Sequence, residues 1–398
     1  MTTASQTLTT RPLTGGLLTL LAALAAIGTL ATTIVLPSFS SIATDIDVSV
    51  RDLAWLLSSF FAAFALGQLV IGPLSDRIGR RPLVLTGLAI FVAGSLLCAV
   101  ADNLQLLIVG RIIQALGVCA ASVLSRAIAR DLFDGEVLAR ALALIMVAMA
   151  AAPGFSPLLG SLLEENLGWR QTFVLVAALG VLLAVFYLLG AGETLPPERR
   201  QRGTGATVLR AYGGLLQDRR FTLPGLAVSL IIGALYAFFA ATPAILMGRM
   251  ALSAFQLGLF FAATVFVVFG AGLLAPRLAR RFGTRQIGCA GIVVALLGGV
   301  MLLLETQGGL GYFSLAICLF LFGMGMINPL GTALTLQPFG HQAGQASALL
   351  GFLQMGSAAM MTALASVLPV GPTLALGLLL AGASLLALLI FALPAAAK

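Results

Sequence analysis

The sequence predicts an all-α integral membrane protein with twelve transmembrane helices in two pseudo-symmetric six-helix bundles. Three observations carry that expectation. Of the 398 residues, 60% are hydrophobic and 9% charged, against about 25% charged in an average globular chain. So few polar residues cannot cover a water-facing surface. Twelve apolar runs of about 20 residues are each long enough to cross a bilayer as a helix. A charged turn in the first half also returns 204 positions later in the second.

In order, the runs are 15–38, 53–72, 83–101, 104–125, 141–162, 170–190, 222–246, 256–276, 286–304, 312–334, 346–368 and 372–395. They do not alternate with period two, so helices rather than a closed barrel satisfy the backbone in lipid. The first run follows Arg11 and stays uncharged until Asp45, longer than the ~7–15 residues of a signal h-region. It is therefore expected to be a retained span. Cys98, Cys119, Cys289 and Cys318 fall within spans without metal-ligand spacing and read as small apolar filler.

Charge in the connections gives the orientation. Arg11, Arg77, Arg80, Arg81, Arg126, Arg130, Arg140, Arg199, Arg200, Arg202, Arg210, Arg219, Arg220, Arg277, Arg280, Arg281, Arg285 and Lys398 fall on one side, and Arg51, Arg170 and Arg249 on the other. Both termini are thus expected in the cytoplasm. The net charge of +8 is spread over short loops rather than gathered into a patch with interleaved aromatics, which argues against a nucleic-acid partner. Lys398 is the only lysine and His341 the only histidine. This removes a Walker A lysine, a lysine Schiff base, and bis-histidine haem or His-rich zinc sites. No enzyme activity, metal or cofactor is expected.

The longest and most charged connection, 191–221, contains Pro196 and Pro197 and divides the chain into halves 1–190 and 222–398. The turn Gly-Pro-Leu-Ser-Asp-Arg-Ile-Gly-Arg-Arg at Gly72–Arg81 aligns with Pro-Arg-Leu-Ala-Arg-Arg-Phe-Gly-Thr-Arg at Pro276–Arg285. The alignment places Gly79 on Gly283, Arg77 on Arg281 and Arg81 on Arg285. A duplicated six-span unit suits alternating access, in which two bundles rock about a midplane site.

These residues also carry a family resemblance. Gly72–Pro82 resembles the loop signature of the major facilitator superfamily, G-x-L-x-D-R-x-G-R-[KR]. Leu107–Gly117, with Arg111, Gln114 and Gly117, resembles its span-four signature R-x-x-Q-G, with Ala115 at the first glycine. Ala152–Gly160 resembles the span-five signature of drug exporters. Glu193–Gln201 and Pro338–Ala348 resemble the Bcr/CflA-type drug-resistance exporters, and Arg126–Phe133 the EmrD-type multidrug exporters among them. The resemblance implies a secondary-active exporter of drug-like or amphipathic compounds in a bacterial inner membrane. It also implies proton antiport, with the proton gradient as energy source.

Individual residues then acquire expected roles. Gly72 and Gly79 are expected to reverse the chain, and Asp76 to pair among Arg77, Arg80 and Arg81. In the resembled family this acid forms a conformational latch that holds the outward-open state. Arg111, inside a span, must meet an acceptor. With Gln114 on the same helical face it is either a cavity contact or a structural anchor. Arg126 and Arg130 sit near a span end, where Asp131 is expected to pair. Pro153, Gly154, Pro157 and Gly160 suit a bent gating helix at the interface of the halves. A pocket for varied lipophilic compounds can draw on Thr29, Thr33, Phe60, Phe64 and Gln68, with Tyr236, Phe239, Phe266, Met324, Asn328, Gln354 and Met355 opposite.

The fourteen acids all map to loops or span ends, and Thr33 stands where the resembled branch often has Asp. Coupling would then use Asp76, Asp131 or Glu305 near a boundary, or let substrate and proton compete in another way, or not involve protons. The alternative reading is a dedicated exporter, or an importer, of an endogenous metabolite or siderophore. A small-molecule substrate and the lipid bilayer are the expected partners. Twelve spans can enclose a cavity alone, so a monomer is expected.

Overall fold

The computed structural model describes residues 15–200, 205–304 and 309–393. Arg11, Arg202, Glu305 and Lys398 lie outside them, as do the side chains of Arg199 and His341. The first half contains α1 (Gly15–Thr33), α2 (Phe39–Asp45), α3 (Ala54–Ile78), α4 (Arg80–Ala99), α5 (Leu104–Leu132), α6 (Gly135–Leu167) and α7 (Trp169–Gly190). After α8 (Gly205–Gln217) come α9 (Arg219–Pro243), α10 (Ala254–Phe282), α11 (Thr284–Leu303), α12 (Leu310–Leu336), α13 (Ala343–Val367) and α14 (Pro372–Ala392). Twelve spans result, with α1 and α2 sharing the first and α8 belonging to none. Among the described residues there is no strand.

Two bundles with matching internal neighbours make up the fold. Helix α4 packs on α5 and α7 as α11 packs on α12 and α14, and α1 packs on α5 and α6 as α9 packs on α12 and α13. Small residues set these contacts, because helices in lipid gain from close van der Waals approach rather than from burial of apolar area. Gly87 and Gly94 of α4 lie against the α5 backbone at Gly117 and Gln114. Their counterparts 204 positions on, Gly291 and Gly298 of α11, lie against α12 at Gly323 and Ala316.

The reversal expected over Gly72–Arg81 is narrower than the sequence suggests. Helix α3 continues through Gly72 and Pro73 to Ile78, and the turn falls on Gly79, whose φ of 111° is matched by 92° at Gly283. Pro73 has no N–H to offer the carbonyl of Leu69, four residues back. That carbonyl instead accepts a 3.1 Å bond from the Tyr212 hydroxyl of α8.

Helix α8 corrects the expectation of a loop through 191–221. Too short to span a membrane, it is amphipathic. Tyr212 and Leu215 are buried with Phe221, Phe339 and Leu349 of the second bundle, so α8 touches both halves at the arginine-rich end.

Between the bundles, α3 packs on α13 and α6 on α10. The seam is closed at the end away from the arginine-rich loops. There the Arg51 guanidinium donates to the carbonyls of Leu368 (2.5 Å) and Val370 (2.6 Å), and Ser58 Oγ donates to Ala359 O at 2.9 Å. Gly154 of α6 sits against Val265 and the Phe261 carbonyl of α10, and Gly258 of α10 against Pro157 and Leu158 of α6.

A Cβ at Gly117 would lie 2.8 Å from Phe91 Cα, so Gly117→Val is expected to lower the unfolding temperature in detergent, by a stability loss of at least about 1–3 kcal/mol. Gly382→Val, where a Cβ meets open space, should leave it unchanged.

Candidate substrate cavity

A cavity of about 450 Å³ lies between the bundles and reaches the arginine-rich end, within the ~300–1,000 Å³ usual for small-molecule sites. Helices α1, α3, α5 and α6 wall it on one side, and α9, α10, α12 and α13 on the other. Its closed end is aromatic. Phe60 stacks on Phe64 with ring centroids 6.1 Å apart, Phe61 meets Tyr236 at 4.3 Å, and Tyr236 meets Phe239 at 6.0 Å. Thr29, Gln68, Asn328 and Gln354 add polar groups, while Met324 and Met355 add deformable apolar ones.

Ten of the expected contacts are thus brought together, with Pro153 and Gly154 of α6 beside them. Four lie elsewhere. Thr33 turns into the α1–α6 contact, where its hydroxyl and that of Ser156 are 2.6 Å apart, leaving Thr32 to face the cavity. Phe266 is 68% exposed on the outer face of α10, edge-on to Phe155. One residue past the cavity-lining Val265, it is carried about 100° round the helix. Pro157 lies deeper in the closed seam, against Gly258 of α10, whereas Gly160 turns into the first bundle, where a Cβ would overlap the Ile34 carbonyl.

Arg111 and Gln114 are also outside the cavity, inside the first bundle. Arg111 is fully buried. It donates to Ala31 O (3.0 Å), Leu56 O (3.5 Å) and Gln114 Oε1 (2.5 Å), and Gln114 Nε2 donates to Ser95 Oγ at 2.8 Å. Its guanidinium carbon lies 4.4 Å from the centroid of the Phe60 ring, which lines the cavity. One side chain therefore ties α5 to α1, α3 and, through Gln114, α4.

At the arginine-rich end Arg80 gathers the acids. It donates to Asp76 Oδ1 (2.6 Å), Asp131 Oδ2 (3.0 Å) and Ser75 Oγ. The expected pairing of Asp131 with Arg126 or Arg130 is corrected, because Arg80 and Thr194 occupy that carboxylate. Glu193 accepts from the backbone N–H groups of Arg80 (2.8 Å) and Arg81 (3.3 Å), beside Arg200 at 3.8 Å. Burial alone would raise the Glu193 carboxyl, but the N–H groups of Leu195, Arg80 and Arg81 and the nearby Arg200 hold it below its ordinary value. All these bonds lie within the first bundle. A second cavity of about 400 Å³ separates Gly72, Asp76, Arg77 and Arg80 from Gln342–Ala348 of the second bundle.

Arg126 and Arg130 line both cavities, although sequence reasoning set them aside as span-end cations. Their spacing was the available signal. Ser122, Arg126 and Arg130 recur every four residues and so share one helical face, and α5 runs to Leu132 rather than ending near 125.

The model of the family described as Major Facilitator Superfamily matches residues 21–362. An uncharacterized MFS-type transporter, YdgK of Bacillus subtilis strain 168, is 32% identical over 84% of this chain and 85% of its own. Multidrug resistance protein D of Escherichia coli K12 is 30% identical over 92% of each chain. Among solved structures, the human organic anion transporter MFSD10 (TETRAN) superposes with a TM-score of 0.66 over 96% of this chain and 100% of that one. At 19% identity, that likeness concerns the fold alone.

Arg111→Ala removes the side-chain donor to Ala31 O and to Gln114 Oε1, and is expected to lower stability by about 3 kcal/mol while ligand affinity per folded molecule stays unchanged. Thermal unfolding and binding, measured on the same sample, separate the two effects. Because the folded Glu193 carboxyl lies below its unfolded value of about 4.3, its contribution to stability is present above that pH and fades as pH falls through the lowered value. Glu193→Gln should flatten that part of an unfolding-temperature profile between about pH 7 and 3.

Proposed function

The chain belongs to the major facilitator superfamily, and on that premise we propose that it exports drug-like or amphipathic small molecules across a bacterial inner membrane by alternating access, in exchange for protons. The carrying observation is the cavity itself. It is lined by aromatic and methionine side chains with a few amides and hydroxyls, and lies between two bundles whose helices close on each other at the end opposite the arginine-rich loops. Such a wall adapts to varied apolar bodies, whereas sugars or phosphates require dense polar contacts. The name of the Escherichia coli relative, a multidrug resistance protein, agrees with this reading.

Orientation follows from the loop charges, which put the arginine-rich end and both termini in the cytoplasm. The cavity then faces the cytoplasm, and export requires the Arg51 and Ser58 contacts to open while the Asp76–Arg80 side closes on Gln342–Ala348. Helix α6, which carries Pro153 and Pro157 and meets α10 through Gly154 and Gly258, is the hinge in this scheme, and Asp76 in the last turn of α3 is the latch. A single chain with no cofactor suffices.

A second reading rests on one specific observation: among the described residues, no carboxylate lines the cavity. It assigns the chain to a dedicated metabolite or siderophore, carried in either direction without proton exchange.

Expression in an exporter-deficient strain should raise the tolerated dose of several lipophilic toxic compounds, and Tyr236→Ala with Phe239→Ala should abolish the gain at equal protein abundance. No protection against any compound would sink the multidrug reading. In proteoliposomes, substrate movement should follow an imposed pH gradient. Movement indifferent to it would favour the second reading.

A further inference from the structure

The cavity carries charge of one sign. Arg126 and Arg130 are its only charged residues among those described, and neither guanidinium makes a hydrogen bond or an ion pair to a described residue. Asp76 and Asp131, which line the adjoining second cavity with them, both bond Arg80 instead. Two like charges four residues apart on a helix repel each other. An isolated guanidinium at the mouth of an apolar cavity is a site for an anion.

The geometry also sets the cation close to the rings. Cys119 Sγ donates to the Phe64 carbonyl, so the aromatic end of the cavity lies level with residue 119 of α5. The Arg126 backbone is seven residues farther along, about 10 Å at 1.5 Å per residue, and a helical arginine side chain leans back toward the N-terminus, here toward the rings. From these observations we infer that Arg126, supported by Arg130, binds the anionic group of an amphipathic monoanion, a carboxylate or sulfonate, whose apolar body lies among Phe60, Phe64, Tyr236 and Phe239. This rests on the exporter reading and narrows it to a substrate class. A lipophilic cation of equal size fits the rings but meets repulsion at the mouth, and selectivity arises from that repulsion as much as from attraction.

The test uses the full chain in a neutral maltoside detergent and three probes sharing one ring system: 2-naphthalenesulfonate, 2-naphthalenesulfonamide and 2-naphthyltrimethylammonium. Equilibrium dialysis should show the sulfonate bound at least about tenfold more tightly than the ammonium. Arg126→Gln should remove that preference while sulfonamide affinity stays within about twofold, and Arg126→Lys should keep most of it. If Arg126→Gln does not fold, Arg130→Gln at the more exposed position should weaken sulfonate binding alone.

Equal binding of all three probes, or a parallel loss of all three in Arg126→Gln, would overturn the inference. So would displacement of the sulfonate by phosphatidylglycerol but not by phosphatidylcholine, which would give the site to a lipid headgroup. Binding of the sulfonamide and ammonium without any preference for the sulfonate refutes the anion site and leaves the exporter reading intact. If no probe binds and expressing cells gain no resistance, it is the exporter reading that fails.

Discussion

Inside hydrocarbon a polar group has only the protein to satisfy it, and this requirement governs nearly every special feature of the chain. It confines twenty-one of the twenty-two cations to loops and span ends. It wraps the exception, Arg111, in carbonyls from α1 and α3, an amide on its own helix and the ring of Phe60. The same need explains why α8 is seated where it is. Pro73 frees a carbonyl at the arginine-rich end of α3, and the Tyr212 hydroxyl bonds it. A proline that reads as helix-breaking in the sequence thereby docks the central connector onto both bundles.

Closure of the seam follows a related logic. Where the halves touch, side chains have been reduced to glycine, so that backbone meets backbone or a single valine, and the few cross-bundle bonds end on main-chain carbonyls. Such contacts hold without burying charge and separate without stranding one. At the arginine-rich end the chemistry is different: the ion pairs of Arg80 stay inside the first bundle and a second cavity intervenes before α13. One end of the molecule is closed by packing, while at the other Arg80 keeps its acids within one half.

Span number, the duplication and the asymmetry of cations were legible because each depends on composition alone. Facing was less so. In spans that are apolar all round, periodicity carries no signal, and so Thr33 and Thr32, or Phe266 and Val265, could not be told apart by pattern. The assignment of Arg111 remained open for a related reason. A buried arginine needs acceptors, but the sequence does not say whether carbonyls, a carboxylate or a ligand will supply them. Helix α8 escaped notice because the charges and glycines of 191–221 mask a short amphipathic stretch. Arg126 and Arg130 escaped because a span end is where cations are ordinarily unremarkable.

Charge balance finally links the cavity to movement. Closing the arginine-rich end around Arg126 and Arg130 removes two guanidiniums from water, a penalty of several kcal/mol per ion when nothing compensates it. A ligand shifts such an equilibrium only by the difference in its affinity for the two states. A monoanion held between the rings and the guanidiniums interacts more strongly as water leaves, since attraction grows as the local dielectric falls. It therefore favours the closed form over the open one, whereas an empty cavity, or one holding a cation, resists closure. On the anion assignment, the missing cavity carboxylate ceases to be a defect of the transport scheme. The substrate brings the negative charge that the wall lacks, and its arrival is what makes closure favourable.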